Sequence, residues 1–265
     1  MFRLARMTII GLLLGLAFIL VFINFNTVKE RVTDLISNFN RLPESFSLDN
    51  LLGGFEDEDN SIISQDNYVI KVMDSFGELS YFHDSNNSKS VSEICATALA
   101  CINSGYFLED QTHAGLLTID GFKYVAIAPN DKQLSHVVRY KNSRLEFLEN
   151  AQYSFDAESD FEFQAGPLLL DNGLVRTDLI SSAPNGNQAS FRSYIGITGE
   201  GKIFIGITTK QVDLKTLAES LKAILGEGLY VMNLDGGSSF SIFFQGSSLN
   251  SFGTSKILPN LLIFK

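Results

Sequence analysis

The sequence predicts an α+β fold, a strand-rich mixed-sheet core with few helices, preceded by one N-terminal transmembrane helix. Three observations carry this reading. The 22 Phe and 8 Tyr, together with many Val and Ile, supply bulky side chains suited to a pleated, half-buried surface. From about residue 66 onward, short β-prone runs alternate with turn residues, and one segment alone shows a clear helical stripe. Near the start lies a single uncharged apolar run. At 265 residues the chain can form one substantial domain that buries roughly 70% of its unfolded surface, so its core needs no disulfide framework.

The apolar run is MTIIGLLLGLAFILVFI, Met7 to Ile23, with Arg3 and Arg6 just before it. As a helix it would span about 25 Å, at the short end of what crosses a bilayer, and Asn24 and Phe25 extend it at the interface. A cleaved signal peptide shares the basic start and apolar middle. The run exceeds a usual signal core, however, and no small-x-small cleavage site follows, so an uncleaved single-pass anchor is the better reading. The two arginines stay cytoplasmic, which places all that follows on the periplasmic or extracellular side of a plasma membrane.

Residues 1–26 are thus read as cytoplasmic start and anchor, 27–65 as stalk and linker, and 66–265 as the globular domain. Within the stalk, Val28, Val32, Leu35, Ile36 and Phe39 recur at spacings of three and four, and Pro43 ends the helix they imply. The stretch Leu48 to Gln65, with Gly53, Gly54 and the acidic run Glu56 to Asp59, reads as a solvated linker. Candidate strands in the domain are 68–73, 98–102, 115–119, 123–128, 136–140, 144–148, 194–198, 203–208, 230–233, 240–244 and 261–264. Asp213 caps the one clear helix, whose Leu214, Leu217, Leu221 and Ile224 form an apolar stripe ended by Gly226.

A net charge of −10 argues against nucleic acid as a partner, since a polyanion would be repelled. Cys95 and Cys101, six positions apart, suit either one local disulfide or two buried thiols. Neither they nor the scattered His83, His113 and His136 resemble a zinc cluster. Two motifs fail. GITGEGK, Gly196 to Lys202, lacks the hydroxyl residue of a phosphate-binding loop and runs on into the strand-like IFIGIT, so it reads as a hairpin turn. GGSSF around Ser238 lacks the second glycine of a nucleophile elbow, and no histidine lies downstream of His136.

Four turn-like clusters survive. Asn233-Leu234-Asp235-Gly236-Gly237-Ser238-Ser239 follows the apolar run LYVM and puts a carboxylate at a strand end beside backbone that a ligand can approach closely. The others are Asn103-Ser104-Gly105-Tyr106-Phe107 after ATALACI, Gln164-Ala165-Gly166-Pro167-Leu168-Leu169, and Phe191-Arg192-Ser193-Tyr194, where Arg192 is a fixed cation suited to bidentate phosphate binding. Singly, each is also what an ordinary turn or surface ion pair looks like.

Taken in order, the four clusters resemble the phosphodiester glycosidase family over roughly Tyr68 to Lys265. This sequence departs from the family pattern by Ser104 and Tyr106 in the first cluster and by Ser193 after the arginine. The resemblance implies hydrolysis of a sugar-1-phosphodiester at the glycosidic side, releasing sugar and a phosphomonoester, in envelope or exopolysaccharide glycan metabolism. A phosphorylated glycan would then be the partner, with membrane contact through the N-terminal helix. Arg192 is the candidate to neutralise the departing phosphate, and Asp235 the candidate carboxylate at the anomeric carbon or a metal ligand. Asn103 is the candidate donor to sugar hydroxyls. Gly105, Gln164, Gly166, Asn233, Gly236, Gly237 and Ser238 are expected to contact substrate, with the Gly236 and Gly237 amides forming an anion-binding concavity. No sequence loop declares a cofactor or metal site, and Asp235 would suit calcium or magnesium. Asp120, in LTIDG, reads first as a hairpin residue and second as a partner carboxylate. The alternative function is a noncatalytic phosphoglycan-binding protein of polysaccharide assembly or export.

Overall fold

In a computed structural model, residues 62–245, 251–253 and 257–265 are described, all within the compact unit that runs from Glu56 to Lys265. The expected anchor, stalk helix and most of the acidic linker lie outside the described residues. Seventeen strands are described: β1 (Ile62–Gln65), β2 (Tyr68–Val72), β3 (Leu79–His83), β4 (Ala100–Asn103), β5 (Leu117–Ile119), β6 (Phe122–Val125), β7 (His136–Lys141), β8 (Arg144–Glu149), β9 (Phe161–Ala165), β10 (Leu168–Asp171), β11 (Leu174–Val175), β12 (Ser193–Ile197), β13 (Ile203–Thr208), β14 (Tyr230–Asn233), β15 (Ser241–Phe244), β16 (Ser251–Gly253) and β17 (Asn260–Phe264). Three α-helices accompany them: α1 (Val91–Ile94), α2 (Thr177–Ser182) and α3 (Leu214–Leu225).

The strands form a seven-stranded sheet ordered β1-β2-β13-β12-β14-β10-β11 and two five-stranded sheets, β16-β15-β4-β17-β3 and β6-β5-β9-β7-β8. Each expected strand overlaps an observed one, and the strand-rich, helix-poor character is as the composition requires. β13 and β14, joined by α3, both pair antiparallel with β12, which lies between them, so they run in the same direction without a ladder of their own.

The linker expectation needs correction at its C-terminal end. Ile62–Gln65 is strand β1, paired Ile62↔Lys71 to Gln65↔Tyr68 across a tight turn in which Asp66 has φ 54°. Once β2 offers an unpaired edge, four residues with two isoleucines add to it, and backbone pairing outweighs the acidic neighbourhood. Gly196 to Lys202 is the expected hairpin, closed by Thr198 N–H to Lys202 O at 2.8 Å. Asp120 and Gly121, both at positive φ, make the two-residue turn between β5 and β6.

The central sheet is buried on both faces, and alternation sorts its side chains. Ile203, Ile205 and Ile207 of β13, Ile195 of β12 and Met232 of β14 join the main core shared with the other sheets. Phe204, Tyr194 and Val231 point the other way, against Leu214, Leu217, Ala218 and Leu221 of α3. Fully burying one such aliphatic side chain contributes roughly 1.5–3 kcal/mol. The register sets Tyr194 opposite Gly206 and Phe204 opposite Gly196, so each ring covers a glycine. α3 begins where Asp213 accepts from Thr216 N–H at 2.9 Å and ends at Gly226, φ 89°, as its sequence predicts. A third, smaller core gathers Val91, Ala98, Leu258 and Leu261 around the disulfide that joins Cys95 to Cys101, Cα atoms 6.1 Å apart.

Candidate active site

Four segments distant in sequence meet at the C-terminal end of β14. Past Asn233 the chain drops Leu234 into the core, and its N–H donates to Ser193 O (2.9 Å). The next residues turn sharply: Asp235 N–H donates to Ser104 O (3.0 Å) and Gly237 N–H to Phe191 O (2.8 Å). A side chain at Gly236 would place its Cβ 2.6 Å from Phe191 O, so only glycine lets this turn lie against the segment that carries Arg192.

Asn103, at the end of β4, binds the arrangement together. Its Nδ2 donates to Asp235 O (2.5 Å), and its Oδ1 accepts from Ser193 Oγ (2.6 Å) and Ser241 N–H (2.9 Å). One buried amide thus ties together the first cluster, the arginine segment, the Asp235 turn and the start of β15. The expectation that Asn103 binds sugar hydroxyls gives way to a bracing position, because its polar atoms serve protein partners and it does not line the cleft.

That cleft, of about 250 Å³, is lined by Arg192, Asp235, Gly236, Gly237 and Asn233 from the predicted clusters. Tyr106, Pro167, Gln133, Asn185, Gln188 and Ser190 also line it. The signal for the last three was present in the loop SSAPNGNQAS, dense in hydrogen-bonding side chains, just before Arg192. In the sequence, Tyr106 shows only as a departure from the family pattern in the first cluster. Its hydroxyl donates to Gly166 O (3.0 Å) and accepts from Asn233 Nδ2 (2.8 Å), which itself also reaches Gly166 O (2.9 Å).

Several expected contacts fall elsewhere. Gln164 is fully buried in the third sheet: its Oε1 accepts from Leu116 and Ala128 N–H, and its Nε2 donates to Ala128 O, Leu134 O and Asn150 Oδ1. It clamps loops and does not line the cleft. Gly105 is packed under His113, Ser238 is exposed outside the cleft lining, and Gly166 contributes its carbonyl to Tyr106 and Asn233. The Gly236 and Gly237 amides are not an anion nest, for they donate to Asp235 Oδ1 and Phe191 O.

Electrostatically the cleft is organised round a buried cation. Arg192 is only 6% exposed, and Nε donates to Val212 O (3.1 Å) while Nη2 donates to the carbonyls of Asn185 and Gln188. Among the described residues no carboxylate forms an ion pair with it. Burial pulls its pKa below the ordinary arginine value, with Tyr106 and Asp213 opposing. A guanidinium has five N–H donors, so three carbonyl bonds leave the Nη1 pair for a ligand. Burial raises the Tyr106 pKa, the charge of Asp235 raises it further, and the phenol stays protonated as a donor. No group of three or more His, Cys, Asp or Glu among the described residues is gathered to hold a metal ion.

Residues 96–265 match the family model of phosphodiester glycosidases. The chain belongs to this family. Among solved structures, the phosphodiester glycosidase fold is shared with the catalytic domain of zebrafish N-acetylglucosamine-1-phosphodiester alpha-N-acetylglucosaminidase, auto-inhibited by its pro-peptide. The TM-score is 0.54 at 14% identity, over 74% of this chain and 82% of that one. A hypothetical protein from Synechocystis aligns at TM-score 0.52 and 14% identity, over 74% of this chain and 59% of that one. A putative exported protein from Burkholderia pseudomallei aligns at 0.53 and 12%, over 74% and 73%. No curated protein sequence matches the chain.

Proposed function

We propose that this phosphodiester glycosidase hydrolyses a sugar-1-phosphodiester of a cell-envelope or exopolysaccharide glycan at the anomeric C–O bond. The observation that carries the reading is the placement of Arg192 and Asp235 in one cleft, a buried cation with no carboxylate ion pair among the described residues beside a strand-end carboxylate. A buried guanidinium held by neutral carbonyls is costly, and an anionic phosphate would offset that cost with charge-assisted bonds from Nη1.

In the reaction, water attacks the anomeric carbon while the bond from that carbon to the phosphate oxygen breaks. The electron pair leaves with the phosphate, which Arg192 stabilises. Asp235 removes the proton of the attacking water or stabilises positive charge at the anomeric carbon. Because a phosphate leaves far more readily than an alkoxide, no second carboxylate acting as general acid is required. The Cys95–Cys101 disulfide supports a domain outside the cytoplasm, in keeping with the anchor read at the N-terminus.

The test is turnover by the purified chain on a chromogenic sugar-1-phosphodiester, with Asp235→Asn and Arg192→Lys as controls. Release of chromogenic phosphomonoester that both variants lose, with folding retained, supports the proposal. Binding without turnover in the unmutated protein would assign it instead to phosphoglycan capture.

A further inference from the structure

Residues 183–190, APNGNQAS, supply the wall of the cleft that leads into Arg192, and they are fastened there through their main chain. Gly186 O accepts Leu214 N–H at 3.1 Å, and Ser190 and Val212 exchange N–H to O bonds at 3.1 and 2.9 Å. Within the loop, Gly186 N–H donates to Ala183 O (3.1 Å) and Gln188 N–H to Asn185 O (3.3 Å). A Cβ at Gly186 would lie 1.9 Å from Ile180 O, so glycine is what lets the loop pack this closely on α2. The last fastening is Arg192 itself, whose Nη2 donates to the carbonyls of both Asn185 and Gln188.

Because the main chain makes these bonds, the loop is shaped without its polar side chains. Asn185 and Gln188 stay exposed at the cleft, joined by the half-buried Ser190. A primary amide and a hydroxyl each donate and accept, so the three suit hydroxyl groups of a ligand. Residues 183–190 include no Asp, Glu, Lys or Arg, so the wall offers no counter-ion to a second charge. A loop already held in place loses little binding energy to being ordered, and such loops are where recognition side chains collect.

We infer that Asn185 and Gln188 set the specificity of the cleft for the alcohol half of the phosphodiester, and that this alcohol is uncharged and bears several hydroxyls. The inference rests on the proposed phosphate site at Arg192. In a sugar-1-phosphodiester the phosphate stands between sugar and alcohol. With the anomeric carbon at Asp235 and the phosphate on Nη1 of Arg192, the alcohol continues from the phosphate towards the residues whose carbonyls hold the same guanidinium, Asn185 and Gln188. Their side chains then meet its hydroxyls. The phosphomonoester product keeps this alcohol, so its binding reads the same contacts without any turnover.

The experiment is thermal protection of the full-length chain by three probes: inorganic phosphate, phenyl phosphate and glucose 6-phosphate. Glucose 6-phosphate should protect the unmutated protein at about tenfold lower concentration than phenyl phosphate, as two neutral hydrogen bonds allow. The Asn185→Ala/Gln188→Ala pair keeps the carbonyls that Arg192 bonds, so inorganic phosphate should still protect it, while the preference for glucose 6-phosphate over phenyl phosphate should disappear. Equal protection by those two esters in the unmutated protein, or a preference that survives in the folded double variant, overturns the role of the loop and leaves the phosphate site standing. Failure of all three probes to protect the unmutated protein would remove the phosphate site itself, and the role of the loop with it.

Discussion

Asn103 Nδ2 donates to the main-chain oxygen of Asp235, 132 residues further along the chain, at 2.5 Å. The side chain that holds the proposed catalytic turn is thus itself part of a different cluster and a different sheet. Asn103→Ala removes three bonds and leaves their partners buried. It should cost about 2–4 kcal/mol of stability in urea denaturation, and it should depress kcat more than KM, because the displaced group is Asp235.

Arg192→Lys keeps a positive charge and loses the planar fork, along with the carbonyl bonds from Nε and Nη2. Inorganic phosphate should protect the unmutated protein against thermal unfolding and protect the lysine variant much less. The kcat/KM for a phosphodiester should fall roughly 100-fold or more. Equal protection of both proteins would contradict a phosphate site at Arg192.

Gln164→Leu separates structure from substrate contact. The buried amide joins Leu116, Ala128, Leu134 and Asn150, so its loss should destabilise the fold by about 2–4 kcal/mol. KM in the folded fraction should stay within twofold, whereas a substrate-binding role would raise it.

His113 and His136 give stability a defined pH dependence. Burial is the leading cause in each, and it lowers both values to about 4, from 6.5 in the unfolded chain. Between those values the unfolded state binds the proton and the folded state does not, so stability rises with pH. The penalty is absent above about pH 6.5, grows as pH falls, and is complete below about 4, on the order of 3 kcal/mol per histidine. Urea midpoints measured from pH 7.5 to 4.5 should fall steadily, and His136→Asn should flatten the slope.

The disulfide joins cysteines six positions apart over the smallest core. Loop entropy assigns such a closure about 2 kcal/mol. Reduction, or the Cys95→Ala/Cys101→Ala pair, should lower the melting temperature measurably without abolishing folding, because the two larger cores do not depend on it.

Local information was enough for much of this. Apolar runs bounded by turn residues located eleven strands, and α3 carries its cap, stripe and stop within its own sequence. The Asp235 turn announced itself because a carboxylate followed by two glycines after a buried run is a local pattern. Strand β9, FEFQA, carries no clear local signal because Glu162 and Gln164 break its apolar run. Both are buried there by partners far off in sequence, Glu162 on Arg139, Thr118 and Tyr153.

Side-chain assignments at the site divide along the same line. That Arg192 and Asp235 carry charge, and that Gly236 permits a tight approach, follow from residue chemistry. Whether Asn103, Gln164 or a glycine amide faces a ligand depends on which partners the fold has already brought within 3 Å. The sequence by itself determined a strand-rich phosphodiester glycosidase with an arginine and an aspartate to offer. Only the tertiary structure decided that these two share a cleft and that Asn103 and Gln164 are committed to protein partners. Hydrogen-bond satisfaction inside a protein is a property of three-dimensional neighbours, and no spacing along the chain encodes it.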